Sequence, residues 1–193
     1  MKKLFFLALI TVSVTAKAQV LSIGLKAGAN ISNFTGTPVE NVSKKALVGF
    51  YGGAFFNIWI AKTFSIQPEA LISTQGAKIE NAGQSENLKL TYLSVPVMLK
   101  FRSMGGFYFE AGPQFGFKIS DNNDDEDFDY KGLDLAAGVG LGYHGKGGFG
   151  IGARYLAGLS KVGDFDPGEG INPDFKNSVI QVGVFFTLGT PKK

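Results

Sequence analysis

The chain has 193 residues, a formal net charge of +3, no Cys and a single His. Those counts exclude a disulfide framework, a thiolate zinc site, a cysteine nucleophile and a lipid-anchored N-terminal Cys, and leave little room for a histidine-rich metal centre. Its 27 Gly and 18 Phe suit a β protein with close-packed strands and an apolar surface. The first 18 residues, MKKLFFLALITVSVTAKA, carry the three parts of a secretory signal peptide. Lys2 and Lys3 make a basic start, Leu4 to Val14 a short apolar run, and Ala16-Lys17-Ala18 a small-x-small cleavage site. Cleavage is expected after Ala18, leaving residues 19–193 as one domain. The apolar run is too short for a transmembrane helix. Lys2, Lys3 and Lys17 account for the whole +3, so the mature chain is neutral. Nothing in its charge points to nucleic acid.

Beyond the leader, no segment approaches the ~20 apolar residues of a helical span. Period-two alternation recurs instead and predicts eight strands: Leu21–Phe34, Leu47–Trp59, Thr63–Lys78, Leu88–Arg102, Phe107–Ser120, Gly132–His144, Gly148–Lys161 and Asn177–Gly189. In the fourth, Leu93, Val95, Val97, Leu99 and Phe101 form an apolar row. The fifth, FYFEAGPQFGFKI, sets Phe107, Phe109, Phe115, Phe117 and Ile119 against Tyr108, Glu110, Gln114 and Lys118. The sixth, seventh and eighth repeat the contrast, with rows such as Ile180, Val182, Val184, Phe186 and Leu188 facing away from Gln181, Gly183 and Thr187.

The connections alternate in length. Ile60-Ala61-Lys62, Ser103-Met104-Gly105-Gly106 and Gly145-Lys146-Gly147 are hairpin-scale turns. Thr35–Ala46, Ile79–Asn87, Asp121–Lys131 and Val162–Lys176 are longer and polar. An even number of antiparallel strands, short turns at one end and long loops at the other, is the pattern of a bacterial outer-membrane barrel. The less apolar face is mostly Gly, Ala, Ser and Gln. A soluble barrel needs more Lys and Glu outside, whereas a narrow barrel interior has room only for side chains. Phe64, Phe101, Phe107, Tyr143 and Phe149 gather near the short turns, as an interfacial girdle does. The fold expected is all-β: an eight-stranded antiparallel transmembrane up-and-down β-barrel with both termini periplasmic. A soluble lipocalin-like barrel is the alternative.

On the inner face the charged residues are Lys26, Glu69, Lys100, Glu110, Lys118, Asp134 and Arg154. Buried charges require partners, so these predict a structural ion-pair network filling the lumen. Turn counting places Lys100 opposite Glu110, Lys118 level with Asp134, and Gly138 facing Arg154. Glu69, Lys26 and Arg154 fall at similar heights.

Several stretches resemble the PorT-like outer-membrane β-barrel family of Bacteroidota: LSIGLKAGANISNF, FSIQPEALISTQGAK, YLSVPVMLKF, YFEAGPQFGF and the closing VIQVGVFFTLG. The most specific are Leu93-Ser94-Val95-Pro96-Val97 and Glu110-Ala111-Gly112-Pro113-Gln114. The resemblance implies an eight-stranded outer-membrane barrel and no common enzymatic activity. The chain departs from the usual terminal aromatic, ending Gly189-Thr190-Pro191-Lys192-Lys193 after Phe186.

Other motifs favour plainer readings. The acidic loop DNNDDEDFD, with Asp121, Asp124, Asp125 and Asp127 as weak divalent-metal candidates, is not an EF-hand. Glu126 stands where Gly is required and Gly132 where Glu is required. GLGYHGKG resembles a phosphate loop but runs on into a strand, not a helix. His144 lies at a short turn, away from Asp134, so a Ser-His-acid triad is disfavoured. No catalytic residue and no cofactor are expected. The function expected is structural, adhesive or partner-binding, through Thr35–Ala46, Asp121–Lys131 and Val162–Lys176. Porin-like passage of small solutes or ions and lipid hydrolysis are the alternatives. Expected partners are outer-membrane lipid and lipopolysaccharide, the barrel-assembly machinery and an extracellular or envelope protein, around a monomer.

Overall fold

A computed structural model describes residues 21–35, 42–81, 84–121, 133–160 and 176–188. Eight strands close into one antiparallel barrel in chain order. They are β1 (Leu21–Thr35), β2 (Val42–Trp59), β3 (Phe64–Asn81), β4 (Gln84–Arg102), β5 (Phe107–Asp121), β6 (Leu133–His144), β7 (Phe149–Gly158) and β8 (Lys176–Leu188). Closure is made by β1 on β8, from Ile23 opposite Leu188 to Thr35 opposite Lys176. With no free edge, every ladder donor and acceptor has a neighbouring strand, which a hydrocarbon environment demands.

The apolar rows point outward. On β5, Phe107, Phe109, Phe115 and Phe117 are exposed, whereas Tyr108, Glu110 and Gln114 are buried. Val182, Val184, Phe186 and Leu188 of β8 are exposed, and Gln181 and Thr187 are buried. Large hydrophobics outside and polar groups inside reverse the arrangement of a soluble protein. This outer surface replaces the lipocalin-like alternative. Phe101, Phe107, Tyr143 and Phe149 of the girdle lie near the short turns, and Phe107 packs edge-on against Tyr143 at 5.2 Å.

Two short turns share one construction. Ser103 N donates to Phe107 O and Gly106 N to Ser103 O; likewise Gly145 N donates to Phe149 O and Gly148 N to Gly145 O. Gly106 and Gly148 adopt φ of +98° and +88°, a region that side chains disfavour. At the other end the structure corrects the sequence reading. Ile79–Asn87 is not a long loop: β3 and β4 run on as a paired hairpin until Asn81 meets Gln84. β2 likewise begins at Val42, inside the expected Thr35–Ala46 loop. The sequence of these strand ends is largely polar, as in Glu80-Asn81 and Gln84-Ser85-Glu86-Asn87, so strand and loop look alike to a period-two reading.

Candidate functional site: the filled lumen

Five of the seven predicted lumen charges meet in one layer. Lys26 (β1), Glu69 (β3), Lys100 (β4), Glu110 (β5) and Arg154 (β7) all project inward. Arg154 holds the centre. Its Nε donates to Glu110 Oε1 at 2.8 Å, Nη1 to Glu69 Oε2 at 2.9 Å and Nη2 to Glu69 Oε1 at 2.7 Å. Lys26 Nζ donates to Glu69 Oε1 at 2.7 Å, and so does Gln67 Nε2 at 2.6 Å. Lys100 Nζ donates to Gln67 Oε1 at 3.1 Å and stands 3.9 Å from Glu110 Oε2. It also lies 3.6 Å from the centre of the Tyr108 ring, a cation–π contact. The fork of Arg154 grips Glu69 through two parallel bonds, the geometry that gives Arg–carboxylate pairs their specificity.

Glycine makes this layer possible. Glu110, Gly140 and Arg154 are neighbours across β5, β6 and β7. A Cβ on Gly140 would sit 3.0 Å from Glu110 Oε1, so the two long side chains meet over a bare backbone. A Cβ on Gly152 would strike the Tyr108 hydroxyl. Gly152→Val should therefore lower stability by about 1–3 kcal/mol through overpacking, read as a lower temperature for the folded-to-unfolded shift on SDS gels.

Register settles the sequence expectations pair by pair. Lys100 does face Glu110. Arg154 faces Gly140, not Gly138, which lies opposite Leu156. The cause is the turn: it closes on Gly145 and Phe149, one residue beyond Gly145-Lys146-Gly147, and every partner shifts by two. Asp134 does not come level with Lys118; it pairs in register with Gly116. Asp134 accepts instead from Ser160 Oγ at 2.8 Å and Asn177 Nδ2 at 2.7 Å, near the loop end. Lys118 is half-buried near that end, opposite Tyr92, just past an irregularity between Thr91 and Tyr92.

Uncharged lumen residues were missed as site members although the parity of their strands places them there. Asn30 lies four positions after Lys26 on the same face, and Ser73 and Gln75 follow Glu69 in the same way. Asn30 Nδ2 donates to Ser73 Oγ at 3.0 Å, and Gln181 Nε2 to Asn30 Oδ1 at 3.1 Å. Ser32 Oγ donates to Gly76 O at 2.8 Å. This polar belt lies on the loop side of the ion pairs.

On the turn side, Phe55, Tyr108 and Phe185 form a buried aromatic floor. Phe55 and Tyr108 each meet Phe185 edge-on with ring centres 5.9 Å apart. A cavity beside the ion pairs, lined by Lys26, Tyr51, Tyr108, Glu110, Arg154 and Gln181 among others, measures about 10 Å³. That is room for about one water molecule. At this level the lumen is solid.

His144 stands at the turn end, hydrogen-bonded through Nδ1 to Arg102 Nη1 at 2.9 Å. Its strand separates it from Asp134, so the structure does not assemble His144 and Asp134 into a triad. Among the described residues no group of three or more His, Cys, Asp or Glu is placed to hold a metal ion. Asp121 ends β5; Asp124, Asp125 and Asp127 lie outside the described residues, as do most of Asp121–Lys131 and Val162–Lys176.

Comparison with known proteins agrees with this architecture. The family model described as outer membrane protein beta-barrel domain matches residues 17–164. No curated protein matches the chain significantly. Among solved structures, the outer membrane protein OprG from Pseudomonas aeruginosa is 10% identical, with a TM-score of 0.54 over 88% of this chain and 97% of that one. Ail, the attachment invasion locus protein of Yersinia pestis, is 16% identical, with a TM-score of 0.50 over 86% of this chain and 98% of that one. At these identities the likeness concerns the fold.

Proposed function

Since the chain belongs to the family of outer membrane protein beta-barrel domains, we propose that it serves in the bacterial outer membrane as a closed anchor that presents its long connections to partners outside the cell. The observation that carries this reading is the layer of Lys26, Glu69, Lys100, Glu110 and Arg154 above the aromatic floor. A lumen plugged by mutually paired charges has no aqueous path to offer. Interaction then falls to the segments spanning residues 36–41, 122–132 and 161–175.

In this reading residues 1–18 are a signal peptide removed on export. The short turns and both termini face the periplasm, and the girdle of Phe101, Phe107, Tyr143 and Phe149 marks the inner interface. The barrel is a monomer, inserted by the assembly machinery and surrounded by lipid and lipopolysaccharide. The segments Leu93–Val97 and Glu110–Gln114 support its placement in the PorT-like group of Bacteroidota.

Replacing residues 36–41, 122–132 and 161–175 with short turns tests the role. The trimmed barrel should still reach the outer membrane and keep its heat-dependent mobility on SDS gels. It should fail to restore whatever envelope phenotype accompanies loss of the whole gene. Full restoration by the trimmed barrel would defeat the reading.

A further inference from the structure

The turn end of the barrel is chemically lopsided. Residues 58–66, 99–109 and 142–151 contain Lys62, Lys100, Arg102 and Lys146 and no Asp or Glu. The adjoining ends of β1 and β8, residues 21–25 and 185–188, add no charge. The two carboxylates deeper in the lumen, Glu69 and Glu110, are engaged by Arg154. Unlike Lys62 and Lys146, which are exposed on the short turns, Arg102 is half-buried at the end of β4.

Arg102 is held by neutral partners. Its guanidinium carbon lies 4.5 Å from the centre of the Trp59 ring. Its Nη1 lies 2.9 Å from His144 Nδ1. Arginine only donates, so Nδ1 is the acceptor and the ring proton sits on Nε2. His144 is 4% exposed, and its Nε2 has no hydrogen-bond partner among the described residues. Phe185 backs the imidazole edge-on with ring centres 5.2 Å apart and is itself part of the aromatic floor with Phe55 and Tyr108. Stacking on Trp59 and the bond to His144 fix the plane of the guanidinium, and among the described residues the rest of its donor edge meets no hydrogen-bond acceptor. A planar fork of this kind matches two oxygens of one anion.

We propose that the turn-end mouth binds an oxyanion, a carboxylate or phosphate group, on Arg102, with Trp59 as its platform and His144 as its brace. The site is distinct from the loop end and does not depend on the role proposed for the loops.

Trp59 is the sole tryptophan of the chain, so its fluorescence reports on this mouth alone. Folded protein in zwitterionic micelles is titrated with sodium phosphate and then sodium acetate, ionic strength being held constant with sodium chloride. The expected result is a saturable change in emission with half-saturation in the millimolar range. Arg102→Gln should abolish it while keeping heat-dependent mobility, and Lys146→Gln, on the exposed turn, should leave it intact. Repeating the titration in phosphatidylcholine vesicles with and without phosphatidylglycerol separates the sources. Saturation by the anionic lipid alone assigns the oxyanion to a headgroup, and a response only to added phosphate or acetate assigns it to a soluble ligand. Emission that stays flat at constant ionic strength, or an Arg102→Gln variant that titrates like the parent, overturns the proposal.

Discussion

Arg154→Met should cost the folded barrel about 3–5 kcal/mol, the usual penalty for removing one partner from a buried ion pair. The guanidinium donates to Glu110 Oε1 and to both oxygens of Glu69. Without it, the Glu69 and Glu110 carboxylates are left buried in a lumen with room for about one water molecule beside them. Lys26 still reaches Glu69, but among the described residues Glu110 keeps only Lys100 at 3.9 Å as an ion-pair partner. Glu110→Gln should cost less, about 1.5–3 kcal/mol, because it loses a charge-assisted bond without stranding a carboxylate. Urea unfolding of protein refolded into phospholipid vesicles measures both. Neither variant opens an ion path, because Phe55, Tyr108 and Phe185 still close the turn side. An Arg154→Met barrel as resistant as the parent would mean that the layer does not hold the lumen together.

Val182→Arg should cost about 2–4 kcal/mol and Leu188→Arg no more than about 1 kcal/mol. The two residues are nearly equal in exposure, 52% and 56%, and share the outer face of β8. They differ in depth. Val182 lies midway along β8, and Leu188 is its last residue at the turn end. On a protein surrounded by water, both substitutions would fall within about 0.5 kcal/mol of neutral. In a bilayer the arginine at mid-strand must cross hydrocarbon to reach water, and the one at the rim need not. Unfolding in vesicles should separate the pair clearly; equal, small costs would contradict a lipid-facing β8.

Where one face of a strand met hydrocarbon and the other met tightly packed polar groups, the alternation was plain in the sequence. β5 is the clearest case: its Phe row and its Glu110–Gln114–Lys118 row were separable by parity alone. β2 was harder, because its inward row, Leu47, Tyr51, Phe55 and Trp59, is itself apolar and aromatic. Both faces then look alike, and the floor made by Phe55 went unseen. Charges announced the ion-pair layer, since a buried charge demands a partner. The uncharged belt of Asn30, Ser73, Gln75 and Gln181 gave no such alarm, though parity held its address. Pairings counted from a short turn were only as good as the turn. Lys100 with Glu110 survived, whereas one extra residue at Gly145–Phe149 moved Arg154 from Gly138 to Gly140. Across the long connection after β5, counting had no anchor, and Asp134 found Ser160 and Asn177 instead of Lys118.

Single-channel recording of the folded wild-type protein in a planar lipid bilayer tests the closed lumen most directly. The ion pairs around Arg154, the aromatic floor and a cavity of about 10 Å³ predict a flat baseline with no stepwise current at any applied voltage the bilayer tolerates. Large, long-lived conductance steps would contradict it, and would return the protein to the class of solute-passing barrels.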